Sequence, residues 1–221
     1  MKKLFLLFLF ISPNSELLTP DCFSQGTWTQ KANYGGGQVT DAVAFSINGK
    51  GYIATGCLQS WSNTNQMWEY DPSTNIWSQK ANLPGSVRMH AVGFSIGNKW
   101  YLGTGINISS IFDDFWEYDP SINAWSQKAN FGGGKRWIAS AFVIQDKGYV
   151  VTGRDTANNY LNDLWQYDTT SNVWTQMSNF PSVGRMLPCC FVINNIAYVG
   201  TGQDASSTVY NDFYSYNSSS D

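Results

Sequence analysis

The stretch WEYDPSINAWSQKAN, residues 116–130, decides the fold because the chain repeats it. Residues 68–82 read WEYDPSTNIWSQKAN, residues 165–179 read WQYDTTSNVWTQMSN, and a shortened copy, YSYNSSSD, starts at Tyr214. The second tryptophan of the unit falls at Trp28, Trp77, Trp125 and Trp174, 48 or 49 residues apart. A period of that length marks one supersecondary unit repeated in an array, whose members bury their apolar faces by stacking on one another.

Each unit contains four strand-like runs. In the first, AVAFSI (residues 42–47) passes through the hairpin signal Asn48-Gly49 to YIATG (residues 52–56). A longer polar loop leads to residues 67–71, a turn at Pro72, and the run that begins at Trp77. Asp71-Pro72 and Asp119-Pro120 supply the side-chain acceptor and the fixed φ that a tight reversal needs. Along the first strand Val43, Phe45 and Ile47 alternate with Ala42, Ala44 and Ser46. The second unit sets Val92, Phe94 and Ile96 against Ala91, Gly93 and Ser95. Such a sheet has one bulky face and one small-residue face, and stacking bulky on small fills the gap between neighbours. Each large side chain buried this way is worth roughly 1.5–3 kcal/mol. The architecture implied is all-β, with four-stranded sheets set radially as the blades of a β-propeller.

The composition agrees. Aromatic residues make up 16% of the 221 positions and charged residues only 13%, so flat rings must be buried between layers. A net charge of −3 offers no basic field for nucleic acid or an anionic membrane. Lys2 and Lys3 precede an apolar run over residues 4–11, too short for the roughly 20 residues of a membrane span. It has the form of a signal peptide, taken here as residues 1–24 with the cleavage point left open, leaving residues 25–221 as the propeller domain and no membrane span after removal. The reading is therefore a protein secreted or held in the cell envelope. Of the four cysteines, removal of the leader takes Cys22 and leaves Cys57, Cys189 and Cys190, which is not a disulfide framework. Cys189 and Cys190 align with Val43-Ala44, Val92-Gly93 and Ser140-Ala141 and are read as strand packing residues.

The repeats resemble kelch repeats, and the resemblance covers residues 28–217. Thr55-Gly56, Thr104-Gly105, Thr152-Gly153 and Thr201-Gly202 stand where that family has its glycine doublet. Tyr70, Tyr118, Tyr167 and Tyr216 match its tyrosine, and Trp77, Trp125 and Trp174 its tryptophan. The resemblance implies a galactose oxidase-like kelch propeller of the secreted bacterial type. In a kelch ring the first Trp strand, here residues 27–33, completes the last blade. Four units permit a closed four-blade ring. Kelch rings more often carry five to seven blades, which points instead to an open four-blade array or an incomplete sequence.

In a blade of this kind two loops leave from one face, short and alike in every unit, and the longer, varied ones leave from the other. The varied loops are residues 57–65, 106–112, 154–161 and 203–210. Loops that differ on a repeated scaffold are where binding resides. Arg88, Arg136 and Arg185 occupy equivalent places before the first strand of units two to four, with Val39 in unit one. By resemblance to other kelch modules they can contact acidic ligands; the structural alternative is that they pair with Asp155, Asp204 or loop carbonyls. Trp61, Phe112, Tyr160 and Tyr210 lie in the varied loops, either as platforms for sugar rings or as plugs beneath their own loops. The doublets Asp113-Asp114, Asn162-Asp163 and Asn211-Asp212 are read as local backbone acceptors rather than calcium ligands.

The catalytic inventory is thin. The copper sugar oxidases that share this type of propeller use two histidines, and the chain has one, His90. Past the leader the glutamates are Glu69 and Glu117, both at repeat-framework positions. No catalytic residue, metal site or cofactor is assigned. The reading is a binding or scaffolding module that recognises a protein or carbohydrate partner through its long-loop face, with candidate binding residues Arg88, Arg136, Arg185, Trp61, Asp155 and Asp204. A sugar-modifying kelch enzyme of the sialic-acid-epimerase type is the alternative, resting on fold analogy.

Overall fold

The computed structural model describes residues 26–220. Two units are distinct. One spans residues 1–31, of which residues 26–31 are described and carry no strand; the other spans residues 32–221. The leader and Cys22 lie outside the described residues.

The second unit is four antiparallel blades, and the inner strand of each lies against that of the next. Blade one comprises Val43–Ile47, Lys50–Ala54, Met67–Asp71 and Ile76–Lys80. Blade two comprises Val92–Ile96, Lys99–Gly103, Phe115–Asp119 and Ala124–Lys128, and blade three Ser140–Ile144, Lys147–Val151, Leu164–Asp168 and Val173–Met177. Blade four has three strands among the described residues, Cys189–Ile193, Ile196–Gly200 and Phe213–Tyr216. All pairings within the blades join sequence neighbours, with Tyr70, Tyr118 and Tyr167 opposite Trp77, Trp125 and Trp174.

The stacking is that implied by the alternating faces. Val43 of blade one packs where Gly93 of blade two has no side chain, and the Phe94 ring fills the space above Gly148, where a Cβ would collide with it. At the matching position of blade two the residue is Trp100, fully buried, and Phe45 stacks on it with centroids 3.8 Å apart. The core is thus three inter-blade clusters rather than one central core.

The repeated words have local explanations. Asp71, Asp119 and Asp168 accept from the backbone amides of Ser73, Ser121 and Thr170, closing the turn. Asn75, Asn123 and Asn172 take positive φ (58°, 49° and 58°), which asparagine tolerates better than most residues. Their side-chain oxygens receive Tyr70, Tyr118 and Tyr167 hydroxyls and, from the preceding outer segment, the amides of Ala32, Ala81 and Ala129. The second tryptophans donate Nε1–H to the carbonyls of the same alanines. Trp77, Trp125 and Trp174 therefore occupy like surroundings. The motif is an inter-blade rivet.

Both residues of each Thr-Gly pair have positive φ: Thr55, Thr104, Thr152 and Thr201 lie at 61–64° and their glycines at 91–107°. Each of Gly56, Gly105 and Gly153 donates its amide to the carbonyl of the next blade's Arg88, Arg136 or Arg185, so the strained corner is also a junction.

Around the axis, His90 N–H donates to Asp41 O, Ile138 N–H to His90 O, and Leu187 N–H to Ile138 O. Among the described residues no bond from Asp41 N–H to Leu187 O completes the circuit. Residues 27–33, expected as the outer strand of blade four, are not in a strand. The four blades follow one another around this axis, as in a four-blade β-propeller.

Candidate functional site

The long loops leave the second strand of each blade and return to the third. At the rim Arg88, Arg136 and Arg185 have no exposed surface. Arg88 donates to Asp114 Oδ1 and Oδ2 at 2.5 and 2.7 Å and to Thr104 O at 3.0 Å. Arg136 grips Asp163 at 2.7 and 2.7 Å, and Arg185 grips Asp212 at 2.5 and 3.0 Å. The carbonyls of Thr152 and Thr201 complete the pattern. The anticipated partners Asp155 and Asp204 make neither fork, because each is engaged within its own loop. The carboxylates that do pair are the second residues of the acidic doublets, brought to the arginines across the sheet.

Burial on its own would raise the Asp114 pKa, but the Arg88 fork and Trp116 Nε1–H more than offset it and hold the group below its ordinary range. The Arg185 fork depresses Asp212 against a smaller opposing desolvation. The rings of Phe112, Phe131 and Phe180 lie 4.4–4.8 Å from the guanidinium carbons of Arg88, Arg136 and Arg185, and Tyr210 lies 4.4 Å from that of Arg185. Phe112 and Tyr210 thus sit as plugs under their loops. Tyr160 does the same against Arg154 at 4.8 Å.

A common device also closes three of the four long loops. Asn107 accepts from the amides of Ser109 and Ser110, Asp155 from Ala157 and Asn159, and Asp204 from Ser206 and Thr208. The equivalent residue in blade one is Leu58. Its loop keeps the same backbone form, with Leu58 N–H to Ser62 O and Trp61 N–H to Leu58 O, but has no side-chain acceptor at that point.

Blade one departs at three framework positions together. Val39 stands for the arginine, Leu58 for the loop-closing oxygen, and Trp61 for Asn158 and Ser207, with which it shares φ near 61–64°. An aromatic residue in that conformation is unusual. The three side chains line one groove of about 290 Å³ with Thr40, Cys57 and Gln59. Trp61 is 87% exposed, standing free of the loop that holds it. Only the comparison of loops in space shows that these substitutions share one place; in the sequence they lie as far apart as residues 39 and 61.

The remaining candidates have structural surroundings. Asn65 and Asn162 tie the start of the third strand to the Leu83 and Phe180 carbonyls. His90 lies near the axis, 3.7 Å from Asp41 and beside Trp137. Glu69 accepts from Tyr52 at 2.6 Å and Lys50 at 3.0 Å; desolvation is outweighed by these bonds and Lys80, so its pKa is lowered. Glu117 repeats the arrangement with Tyr101 and Lys128. Cys189 and Cys190 point to opposite sides of their strand, and burial raises the Cys190 thiol to about 11. Among the described residues no group of three or more His, Cys, Asp or Glu side chains is placed to hold a metal, and no helix is long and apolar enough to cross a membrane.

The in-phase repeats, radial blades and Tyr–Asn–Trp rivets define a β-propeller of four-stranded blades. Residues 139–181 match the Kelch motif. The fold is similar to that of the solved structure titled "Structure of YjhT", with a TM-score of 0.71 and 19% identity over 80% of this chain and 63% of that one. The chain therefore spans less than two thirds of that structure, and at such identity the likeness concerns fold alone. A likeness of fold alone selects no substrate. No curated protein sequence matches the chain.

Proposed function

We propose that this chain is an exported binding module whose recognition site is the blade-one groove of the long-loop face, and that its ligand is a carbohydrate. The observation that carries the reading is the coincidence of Val39, Leu58 and Trp61 in one apolar groove, at positions that hold polar framework residues in other blades. An exposed indole offers a flat apolar platform to the C–H face of a pyranose ring. The side chains of Thr40 and Gln59 beside it supply donors and acceptors for ring hydroxyls. The arginines contribute by holding the rim. Their charges are taken up by Asp114, Asp163 and Asp212, so a ligand carboxylate would first have to displace a fork. Export rests on the leader read from the sequence.

Binding is favoured over turnover because Glu69 is held as an anion by its tyrosine and lysines, which suits a structural ion pair rather than a proton donor at neutral pH. Glycan-array screening followed by titration calorimetry tests the proposal. Trp61→Ala is expected to weaken the best ligand by about tenfold or more, since loss of a central aromatic anchor costs on the order of 2 kcal/mol. Equal binding by the variant would remove the groove from consideration. Retention of a protein partner but no glycan, again dependent on Trp61, would keep the site and replace the ligand class.

A further inference from the structure

Between blades one and two, on the side of the short turns, lies a cleft of about 470 Å³. Lys50, Glu69 and Lys80 line it from blade one, and Asn98, Lys99 and Asp119 from blade two. It shares no residue with the groove at Trp61, and its walls are two blades that the chain itself packs together. Glu69 is 7% exposed, whereas the side chains of Lys50, Lys80 and Lys99 are 25–39% exposed. The carboxylate is buried, and the three lysine chains reach solvent.

The acceptors of the cleft are already engaged. Glu69 Oε1 accepts from Lys50 Nζ at 3.0 Å and Lys80 Nζ at 3.2 Å, and Oε2 from the Tyr52 hydroxyl at 2.6 Å. Asp119 Oδ1 accepts from the Ser121 amide at 2.8 Å and hydroxyl at 2.6 Å, and Oδ2 from Lys99. The donors are not used up. An ammonium group carries three N–H bonds. Among the described residues Lys80 pairs with Glu69 alone and Lys99 with Asp119 alone, while Lys50 adds Asp71 at 3.5 Å. N–H groups on all three lysines are left without a protein acceptor, so the cleft suits a ligand rich in acceptors.

The blade does not require these charges. Blade three builds the same strands with Gln166 at the place of Glu69 and Met177 at that of Lys80, and blade four has Ile196 at that of Lys50. The junction of blades two and three does repeat the lysines, as Lys99, Lys128 and Lys147 with Glu117 and Asp168, but it has Asp146 where the first junction has Asn98. Positive charge is thus in excess over the lining carboxylates at the first junction and balanced at the second. We propose that the cleft between blades one and two binds a tetrahedral oxyanion, the phosphate or sulfate ester group of a ligand, through Lys50, Lys80 and Lys99. Three ammonium groups carried by three different strands act as separate point charges and match three oxygens of such a group, whereas a planar carboxylate is better met by an arginine fork.

Calorimetric titration of the full chain with inorganic phosphate and, separately, inorganic sulfate tests the assignment, with ionic strength held constant by sodium chloride. Saturable binding of at least one anion is expected, and the tighter of the two identifies the ester. Lys80→Met, which copies Met177 of blade three, should weaken that binding about tenfold through loss of a charge-assisted hydrogen bond. Lys128→Met removes the same charge from the equivalent pair with Glu117 in blade two and should leave the affinity unchanged. Asn98→Asp, at an exposed turn position, should weaken binding without touching any lysine, by adding the counter-charge that Asp146 brings to the next junction. No saturable binding of either anion would overturn the proposal. So would equal weakening by Lys80→Met and Lys128→Met, full affinity in Asn98→Asp, or acetate binding as tightly as the better anion.

Discussion

Arg88 and Asp114 meet through two parallel charge-assisted hydrogen bonds of 2.5 and 2.7 Å across blade two, and where blade one has Val39 for the arginine it has Gln66 for the aspartate. Both members of the tie are replaced together. Gln66 keeps the bond to its neighbouring indole, Trp68 Nε1–H, that Asp114 makes to Trp116. A buried arginine without its carboxylate, or the reverse, is costly, and neither case occurs at these positions of the four blades.

Arg88→Val alone should therefore destabilise by about 3–5 kcal/mol, the usual result of leaving one member of a buried pair without its partner. Adding Asp114→Gln should recover at least half of that loss, because the pair then has the composition that blade one already carries. Urea denaturation of the two single variants and the double variant measures the coupling. Additive losses would show that the pair does not act as a unit.

The Thr-Gly corners predict a stabilising glycine. Thr104 is buried with φ 61°, a conformation that costs a non-glycine residue on the order of 1–3 kcal/mol. Among the described residues its hydroxyl has no hydrogen-bond partner. Against these stand the lost methyl packing and the greater freedom of glycine in the unfolded chain, roughly 0.5–1 kcal/mol. Thr104→Gly should gain about 1 kcal/mol in thermal denaturation, while Thr104→Ala, which keeps the backbone strain, should fall below it.

The rivet between blades one and two should separate by bond count. Asn123 accepts from Ala81 N–H and Tyr118 O–H, both at 2.9 Å, at a positive φ that alanine disfavours. Asn123→Ala should cost about 2–3 kcal/mol, two bonds and a backbone penalty. Trp125→Phe removes the Nε1–H bond to the Ala81 carbonyl and should cost about 1–2 kcal/mol with the lost indole packing. The reverse order would mean that the ring, rather than the asparagine, holds the junction.

Acid should weaken the array in a defined window. Lys99, with Ser121, depresses Asp119 to about 2, and Lys147, with the Thr170 amide, depresses Asp168 to about 2. Unfolded aspartates titrate near 3.9, so the unfolded chain binds more protons between these values. The contribution is full above about pH 5 and is lost as pH falls toward 2. Melting temperatures measured from about pH 6 to about pH 2 should be level and then fall below about pH 4. Asp119→Asn with Asp168→Asn should flatten the descent, and a fall that is unaltered in that variant would place the acid sensitivity elsewhere.

The repeated WEYDPSINAWSQKAN, with its period and its alternating faces, was enough to specify radial four-stranded sheets, because a blade is a local antiparallel meander whose partners are its sequence neighbours. The turns were legible for the same reason: Asp71, Asn75 and Asn48-Gly49 act within a few residues of themselves. What depends on distant pairs was not legible. The arginine forks reach Asp114, Asp163 and Asp212 some 26 residues on rather than Asp155 and Asp204, because antiparallel pairing brings the third strand's start back to the rim. Residues 27–33, read as an outer strand, carry no strand, because a strand is defined by pairing with a neighbour that the local sequence does not specify. Val39, Leu58 and Trp61 are unexceptional singly in the sequence; only folding gathers them into a groove, because side chains distant along the chain are made neighbours by packing that no local pattern encodes.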